Sequence, residues 1–221
     1  MPGVHSGTAA GSHAAAMDRM YRYQRHIYDL TRKYYLIGRD RAIEGMMVPA
    51  DGTLLELGCG TGRNLLKAHM AYPTARLYGL DISAEMLESA ATTFHRKDTV
   101  PVLRQADATD FRAADFGTEG FDRILVSYAL SMIPNWQATI DAALAALVPG
   151  GSVHIVDFGQ QENLPRTFRR LLQAWLAKFH VTPRADLREA LEERLAQADA
   201  DMVFEEIGRG YAWHAIVRKR P

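Results

Sequence analysis

The residues with the clearest chemical potential are the run Glu56-Leu57-Gly58-Cys59-Gly60-Thr61-Gly62, which follows a short apolar segment. Glycines at this spacing let the backbone turn tightly and let a ligand approach more closely than a Cβ atom would permit. The spacing is G-x-G-x-G, whereas dinucleotide-binding loops have G-x-G-x-x-G. Glu56 would repel a pyrophosphate, so this loop instead suits a ligand that carries positive charge.

Two further acids stand at the ends of predicted strands, as Glu56 does. Asp81 ends a strand where a carboxylate can accept hydrogen bonds from both hydroxyls of a ribose. Asp107 ends the next strand, where it can face the amino group of an adenine. Because open α/β sheets bind ligands at the carboxyl edge of their strands, the three acids predict a pocket for a cationic nucleoside. The alternative is a plain strand-to-helix turn at 58–62 with the acids as helix caps.

The hydrophobic pattern indicates which elements position these residues. Apolar runs predict strands at 53–57, 76–80, 101–105, 121–127, 152–158, 202–207 and 211–218. Helical spacing predicts intervening helices at 64–72, 83–94 and 136–147, the second capped by Ser83. Alternating strands and helices are typical of parallel βαβ units. The last two strands are joined too closely for a crossover helix, which predicts an antiparallel hairpin.

The segment Thr53–Phe158 resembles the class I methyltransferases. The resemblance implies an α/β, Rossmann-like fold with a seven-stranded, mostly parallel sheet and an antiparallel C-terminal hairpin strand. It also implies S-adenosylmethionine, which carries an ammonium and a sulfonium, as the cofactor and S-adenosylhomocysteine (SAH) as the product. The predicted cofactor-binding residues are Glu56, Gly58, Cys59, Gly60, Gly62, Asp81, Ile82, Met86, Asp107, Ala108 and Ser127.

The stretch Tyr21–Asp40 is crowded with tyrosine and arginine, and residues 17–41 hold seven Arg or Lys against three Asp. Helical spacing of its apolar residues predicts a lid of two short helices over residues 16–45. The rings of such a lid could line a site for a methylated ammonium, where each cation–π contact contributes ~0.5–2 kcal/mol. The alternative is an amphipathic helix whose basic face is simply solvated.

A second unusual segment, 159–185, is predicted to form an inserted, amphipathic cover helix. Its apolar residues follow the i, i+3, i+4, i+7, i+8, i+11 pattern and are Phe168, Leu171, Leu172, Trp175, Leu176 and Phe179. No acid intervenes between Arg166 and Arg184, although five basic residues do occur there. Such a helix either covers the substrate side of its own domain or lies in a lipid interface, where each basic residue contributes ~1 kcal/mol near anionic headgroups.

The segments Tyr21–Asp40, Ser127–Pro134 and Gly210–Ala215 together resemble bacterial diacylglyceryl-homoserine N-methyltransferases, which make a betaine lipid by three N-methylations. The stretch after Ser127 lacks an Asn-Pro-Pro-Tyr or Asp-Pro-Pro-Tyr motif, which argues against DNA-amino and glutamine methyltransferases. An α-amino group with a pKa near ~8 keeps an appreciable neutral fraction at pH 7, so no strong base is expected.

The resemblance is also the basis for roles of residues that would face the acceptor. The candidate catalytic residues are Tyr34 and Tyr35, beside the headgroup ammonium, and His214, which could assist the transfer mildly. Either Arg25 or Arg32 would pair with the headgroup carboxylate. Tyr21 and Tyr128 complete the substrate-binding set. The alternatives are phosphatidylethanolamine, a quinone precursor or a small soluble amine as acceptor, and a non-catalytic cofactor-binding subunit.

The length, charge balance and cysteine content of the chain limit these interpretations. The 221 residues suit one domain, predicted at 16–221 behind a disordered tail at 1–15. Lys plus Arg equals Asp plus Glu, which argues against a nucleic-acid partner. The single cysteine excludes an internal disulfide and a cysteine-based metal site, and no apolar run approaches the roughly 20 residues that cross a bilayer. We expect a cytoplasmic enzyme without a metal that meets its lipid substrate at the inner face of the cytoplasmic membrane.

Overall fold

The computed structural model describes residues 36–95, 97, 99–196 and 199–221. Its strands are β1 (Thr53–Leu57), β2 (Arg76–Asp81), β3 (Val102–Gln105), β4 (Phe121–Ser127), β5 (Leu147–Phe158), β6 (Ala200–Ile207) and β7 (Ala212–Lys219). Its α-helices are α1 (Arg39–Glu44), α2 (Arg63–Ala71), α3 (Ala84–Phe94), α4 (Trp136–Ala145), α5 (Arg166–Lys178) and α6 (Leu187–Leu195). A short 3-10 helix spans Ala113–Phe116.

The seven strands form one sheet in the order β3-β2-β1-β4-β5-β7-β6. Strands β1 to β5 run parallel, and β7 lies antiparallel to both β5 and β6. The predicted α/β fold with its antiparallel C-terminal hairpin is therefore confirmed. The strand order reverses between β1 and β4, so their carboxyl ends open the crevice in which such sheets bind ligands.

Helices cover both faces of the sheet. Every residue of β1 is buried, as expected for a central parallel strand. On one face, Ile43, Leu65 and Phe94 from the region of α1, α2 and α3 form one apolar cluster. On the other face, α4 and α6 contribute Ile140 and Leu191 to a second, larger cluster. The fold thus fixes β1 and β4 on both sides and leaves their ends to carry the site.

Two elements differ from the sequence prediction. Strand β5 begins at Leu147, five residues earlier than expected. Its pairing with β4 is irregular at this end, so the residues around Gly150 lie within the strand and not in a turn before it. Helix α6 was not predicted, since only Leu187, Ala190 and Leu191 among its residues are buried and so short an apolar pattern is a weak signal. The predicted Ser83 cap is confirmed, because its Oγ accepts a hydrogen bond from Met86 N at 3.4 Å.

Helix α5, at Arg166–Lys178, lies inside the predicted cover segment 159–185 and is shorter than that segment. Helix α1 is the part of the predicted lid that falls within the described residues. Among the helices in those ranges, none has the length and apolar character needed to span a membrane.

Candidate functional site

The glycine-rich loop joins β1 to α2 and folds against the end of β2. The backbone N–H groups of Gly58 and Cys59 both donate to Leu80 O, at 2.8 and 2.9 Å. Gly58, Gly60 and Gly62 have φ values of 69°, 52° and 75°. A Cβ on Gly58 would lie 2.9 Å from the Cβ of Ala129, so a larger residue would displace the segment after β4. The loop therefore requires glycine for both its conformation and its close packing.

Asp81 supports this loop from the end of β2. Its Oδ2 accepts a hydrogen bond from Gly60 N at 2.8 Å, its Oδ1 accepts from Ser83 N at 2.9 Å, and the residue is 7% exposed. An ionised carboxylate has about four lone-pair sites, so acceptor capacity remains for the ribose hydroxyls expected from the sequence. The structure adds a second role, because Asp81 shapes the loop through the loop's own backbone.

The end of β3 lies directly beside the end of β2. Ala106 N donates to Asp81 O at 3.1 Å, and Gln105 Nε2 donates to Ile82 O at 3.0 Å. The Oδ1 atom of Asp107 accepts from the backbone N and the Oγ1 of Thr109, at 2.9 and 2.8 Å. This local turn fixes the direction of the Asp107 side chain. Of the neighbouring predicted cofactor residues, Ile82 is half-buried, whereas Met86 and Ala108 are buried.

A cavity of about 200 Å³ opens between the glycine-rich loop, the end of β4 and α1. We call it the loop cavity. Its lining consists of Leu36, Arg39, Glu56, Gly58, Cys59, Thr61, Arg63, Asn64 and Ser127. Four predicted cofactor-binding residues line it: Glu56, Gly58, Cys59 and Ser127. The other predicted cofactor residues follow the loop and the ends of β2 and β3.

Two buried, oppositely charged side chains line the loop cavity. Glu56 is 1% exposed, and its Oε1 accepts a hydrogen bond from Asn64 Nδ2 at 2.6 Å. Arg39, on α1, is also buried. A buried carboxylate suits an ammonium and a buried guanidinium suits a carboxylate. The amino-acid part of S-adenosylmethionine carries one of each, so this donor set fits that ligand.

The hydroxyl of Ser127 gives a second indication of a ligand. Its Oγ is buried and has no hydrogen-bond partner among the described residues. Leaving a buried polar group unsatisfied costs about 1–3 kcal/mol, which a bound ligand can recover. Cys59 contributes differently, because burial raises the pKa of its thiol well above the usual value and leaves it an inert, space-filling group.

Five of the lining residues were not predicted as cofactor-binding residues from the sequence: Leu36, Arg39, Thr61, Arg63 and Asn64. Thr61, Arg63 and Asn64 lie within or directly after the glycine-rich motif, so their proximity to it was the available signal. Nothing in the sequence distinguishes Arg39 from the other arginines of the basic N-terminal stretch. Its position follows from the packing of α1.

Tyr128 is placed differently from its prediction as a substrate contact. The residue is buried with φ 54°, and its hydroxyl donates to Ile37 O at 2.5 Å. Its ring meets that of Phe158 edge-on, with centroids 4.7 Å apart. Burial raises the pKa of the phenol well above its usual value. Because the hydroxyl is engaged by backbone, Tyr128 acts as a positioning residue for the segment that precedes α1.

His214 is also corrected as a candidate catalytic residue. Its neighbours on β7, Trp213 and Ala215, pack into the cluster on the α4 face, so strand alternation places His214 on the opposite face. There it lines a small, separate cavity with Arg41 and Glu205 and takes no part in the loop cavity. Burial lowers its pKa, which keeps the imidazole neutral.

The remaining predicted residues Tyr21, Arg25, Arg32, Tyr34 and Tyr35 lie outside the described residues. Within the ranges that the structure describes, no group of three His, Cys, Asp or Glu side chains is arranged to hold a metal ion.

Comparison with known proteins points to a methyltransferase. A family model described as "Methyltransferase domain" matches residues 54–151. A ubiquinone/menaquinone biosynthesis C-methyltransferase of Syntrophotalea carbinolica is 26% identical over 62% of this chain and 58% of its own length. A 2-phytyl-1,4-naphtoquinone methyltransferase of Trichormus variabilis is 27% identical over 76% and 74%. A phosphatidylethanolamine N-methyltransferase of Cereibacter sphaeroides is 33% identical over 59% and 61%.

Solved structures agree on the fold. The plantazolicin methyltransferase BpumL in complex with SAH has a TM-score of 0.66 at 16% identity, covering 96% of each chain. The DhpI–SAH complex has a TM-score of 0.64 at 23% identity, covering 98% of this chain and 100% of that one. The glycine-rich loop and the strand-end acids lie in the segment that matches this methyltransferase domain, which supports methyl transfer as the reaction and S-adenosylmethionine as the cofactor.

Proposed function

We propose that this protein methylates the amine of a lipid headgroup, and that its acceptor is diacylglyceryl-homoserine, which it converts to the trimethylated betaine lipid. The proposal rests on the resemblance of the flanking segments to that enzyme class. Similarity to a phosphatidylethanolamine N-methyltransferase supports a lipid amine more generally. The observation that carries the lipid part is the exposed surface of α5.

The loop cavity supplies the residues that would hold the cofactor. Glu56 would bind its ammonium, Arg39 its carboxylate and Asp81 its ribose, while Asp107 would face the adenine. When bound, S-adenosylmethionine supplies an electrophilic methyl group. The chain's own task is then to align a neutral acceptor nitrogen with that group, and positioning of this kind can supply roughly 7–11 kcal/mol of the barrier.

An amine acceptor asks less of the protein than a carbon acceptor does. Methylating the ring carbon of a quinone precursor requires a base that removes a proton, whereas an amine attacks with its own lone pair. A quinone precursor stays the second candidate, because two of the relatives above are quinone methyltransferases.

Helix α5 divides its apolar stripe between the protein and the solvent. Leu172, Trp175 and Phe179 pack against a cluster that includes Tyr128 and Phe158, at the carboxyl ends of β4 and β5. Towards the start of the helix, Phe168 and Leu171 are 50% and 71% exposed. The basic residues of the same two turns are Arg166, Arg169 and Arg170.

This exposed half of α5 has the character of a surface for anionic lipid. Apolar side chains flanked by arginines can enter a headgroup layer while the guanidinium groups stay with the phosphates. Arginine in a first helical turn is also unfavourable for the helix dipole, so an external negative partner would relieve that cost. A lipid surface so close to the ends of β4 and β5 would bring its headgroups to the edge that carries the loop cavity.

The double substitution Phe168→Ser with Leu171→Ser is expected to abolish binding to vesicles of phosphatidylglycerol and phosphatidylcholine. Burying each side chain contributes about 1.5–3 kcal/mol, so losing both should weaken binding at least roughly a hundredfold. Co-sedimentation measures the effect. Met70→Ser on α2 is the matched control, because Met70 is 70% exposed and lies away from α5. Equal losses for both variants would contradict a docking role for α5.

Turnover tests the acceptor directly. Purified protein, labelled S-adenosylmethionine and vesicles that contain diacylglyceryl-homoserine are expected to yield lipids carrying one, two and three added methyl groups, identified by mass. Parallel vesicles with phosphatidylethanolamine or a demethylated quinone serve as competitors. Preferential labelling of the quinone would overturn the proposal, and preferential labelling of phosphatidylethanolamine would move the acceptor to a phosphate-bearing headgroup.

A further inference from the structure

A second cavity, of about 450 Å³, lies beneath the C-terminal half of α5. We call it the α5 cavity. Its walls are the segment after β5, the last turns of α5 and the segment that follows the helix. Its lining includes Gln160, Gln161, Gln173, Leu176, His180 and Thr182. None of them belongs to the loop cavity, so the site described above leaves this space unassigned.

The walls of the α5 cavity are tied to the edge of the sheet that carries the loop cavity. Thr182 N donates to Ser131 O at 2.9 Å, which fixes one wall to the segment after β4. Gln161 N donates to Gly210 O at 2.8 Å, which fixes the other wall to the β6–β7 turn. A single apolar cluster extends from Leu36, in the loop cavity, to Leu176 in this one. The two cavities therefore flank the carboxyl ends of β4 and β5 together.

The α5 cavity presents hydrogen-bond donors and no acid. The Nε2 of Gln160 is buried and has no hydrogen-bond partner among the described residues. Gln161 and His180 hold positive φ values of 54° and 56°, a conformation that a non-glycine residue adopts only when its surroundings enforce it. The lining includes His180 and no aspartate or glutamate. An unsatisfied amide donor suits an oxygen that carries negative charge.

We infer that the α5 cavity binds the carboxylate of the acceptor headgroup, with Gln160 Nε2 as its principal donor. This inference rests on the proposed function and adds that the carboxylate of the headgroup lies in the α5 cavity. A carboxylate carries one charge and two oxygens, fewer than a phosphate group, so it suits a described lining whose donors are mainly uncharged amide and hydroxyl groups. Gln173, whose Nε2 lies 3.5 Å from Gln161 Oε1, forms the rim of the cavity on α5.

The test uses soluble headgroups and the SAH-saturated protein. Calorimetry is expected to show that glyceryl-trimethylhomoserine binds and that Gln160→Leu weakens this binding roughly 10- to 150-fold, the cost of losing one charged hydrogen bond. Gln173→Leu, at an exposed position, should weaken it less. Gln137→Leu on α4 is the matched control, because it is an exposed glutamine outside both cavities. The Kd for SAH and the melting temperature should stay unchanged in all three variants.

The outcomes separate this inference from the proposed function. No binding of the headgroup by the wild-type protein, or equal binding by Gln160→Leu and Gln137→Leu, overturns the assignment of the cavity. Equal affinity for glycerophosphocholine overturns the choice of carboxylate over phosphate. If the headgroup binds through Gln160 but no lipid amine is methylated in vesicles, the cavity assignment stands and the proposed function fails. In turnover, Gln160→Leu should raise KM for the lipid and leave kcat nearly unchanged.

Discussion

Replacing Asp81 with alanine is expected to weaken SAH binding at least about a hundredfold. The substitution removes the acceptor of the Gly60 and Ser83 backbone N–H groups as well as the ribose contact. Hydrogen bonds to charged groups are each worth about 1.5–3 kcal/mol, so losing the two expected from the ribose hydroxyls exceeds the roughly 2.7 kcal/mol that a hundredfold change represents. Isothermal calorimetry with SAH measures the effect.

Two variants sharpen the Asp81 experiment. Asp81→Asn keeps one carbonyl acceptor and should bind SAH with intermediate affinity. Asp110→Ala removes an exposed acid from the neighbouring segment after β3 and should bind like the wild type. If Asp81→Ala binds SAH within threefold of the wild type while remaining folded, the loop holds its shape without this carboxylate and the account of the site is wrong.

Lowering the pH from 7.5 to 5 is expected to reduce the free energy of unfolding by about 2 kcal/mol through His154 alone. Burial, together with a smaller contribution from the neighbouring His214, lowers the pKa of His154 from 6.5 to about 3; the two ring centroids are 6.1 Å apart. Below pH 6.5 the unfolded chain therefore binds a proton that the folded protein does not. At pH 5 this gap is about 1.5 pH units, each worth ~1.36 kcal/mol.

The sign of this effect follows from the direction of the pKa shift. The contribution of His154 to the free energy of unfolding is complete above pH 6.5 and is lost as the pH falls from 6.5 towards 3. The pKa of His214 is also lowered by burial, so this residue acts in the same direction. Arg123 and Arg218 also oppose a positive charge on His154, and Ser152 Oγ lies 3.0 Å from its Nε2.

Denaturant unfolding at both pH values measures this loss. Carboxylates also titrate in this range, so the informative quantity is the difference between variants. His154→Leu removes the buried imidazole and should lose about 2 kcal/mol less than the wild type on acidification. His95→Gln, at an exposed position, should follow the wild type. An identical pH dependence in His154→Leu would show that the imidazole is not the group responsible.

Much of the fold follows from local pattern. Strands such as β1 and β4 are buried on both faces, so their sequences are nearly unbroken apolar runs that can be located to within a residue. Helix α6 was not located because only one side of it meets the core. The start of β5 depends on an irregular pairing with β4, which no property of residues 147–151 alone specifies.

In the candidate site, too, residues fixed by local sequence were predicted and residues placed by long-range packing were not. The glycine-rich loop and Asp81 belong to one strand–turn–helix unit and its neighbour, so spacing is enough to find them. The position of Arg39 depends on how α1 packs, and that of the Tyr128 hydroxyl on a contact with Ile37, 91 positions away in the sequence. His214 was misplaced for a related reason, because the face of β7 to which it belongs is set by the register with β5.

The position of β7 between β5 and β6 has a consequence for biogenesis. During synthesis on the ribosome, β5 and β6 both emerge before β7, the strand that pairs with each of them. Until β7 is made, β5 therefore has an unpaired, apolar edge. Until that insertion occurs, this edge could recruit another nascent chain in place of its own strand. Chaperone dependence during synthesis should therefore be concentrated in the interval between translation of β5 and translation of β7.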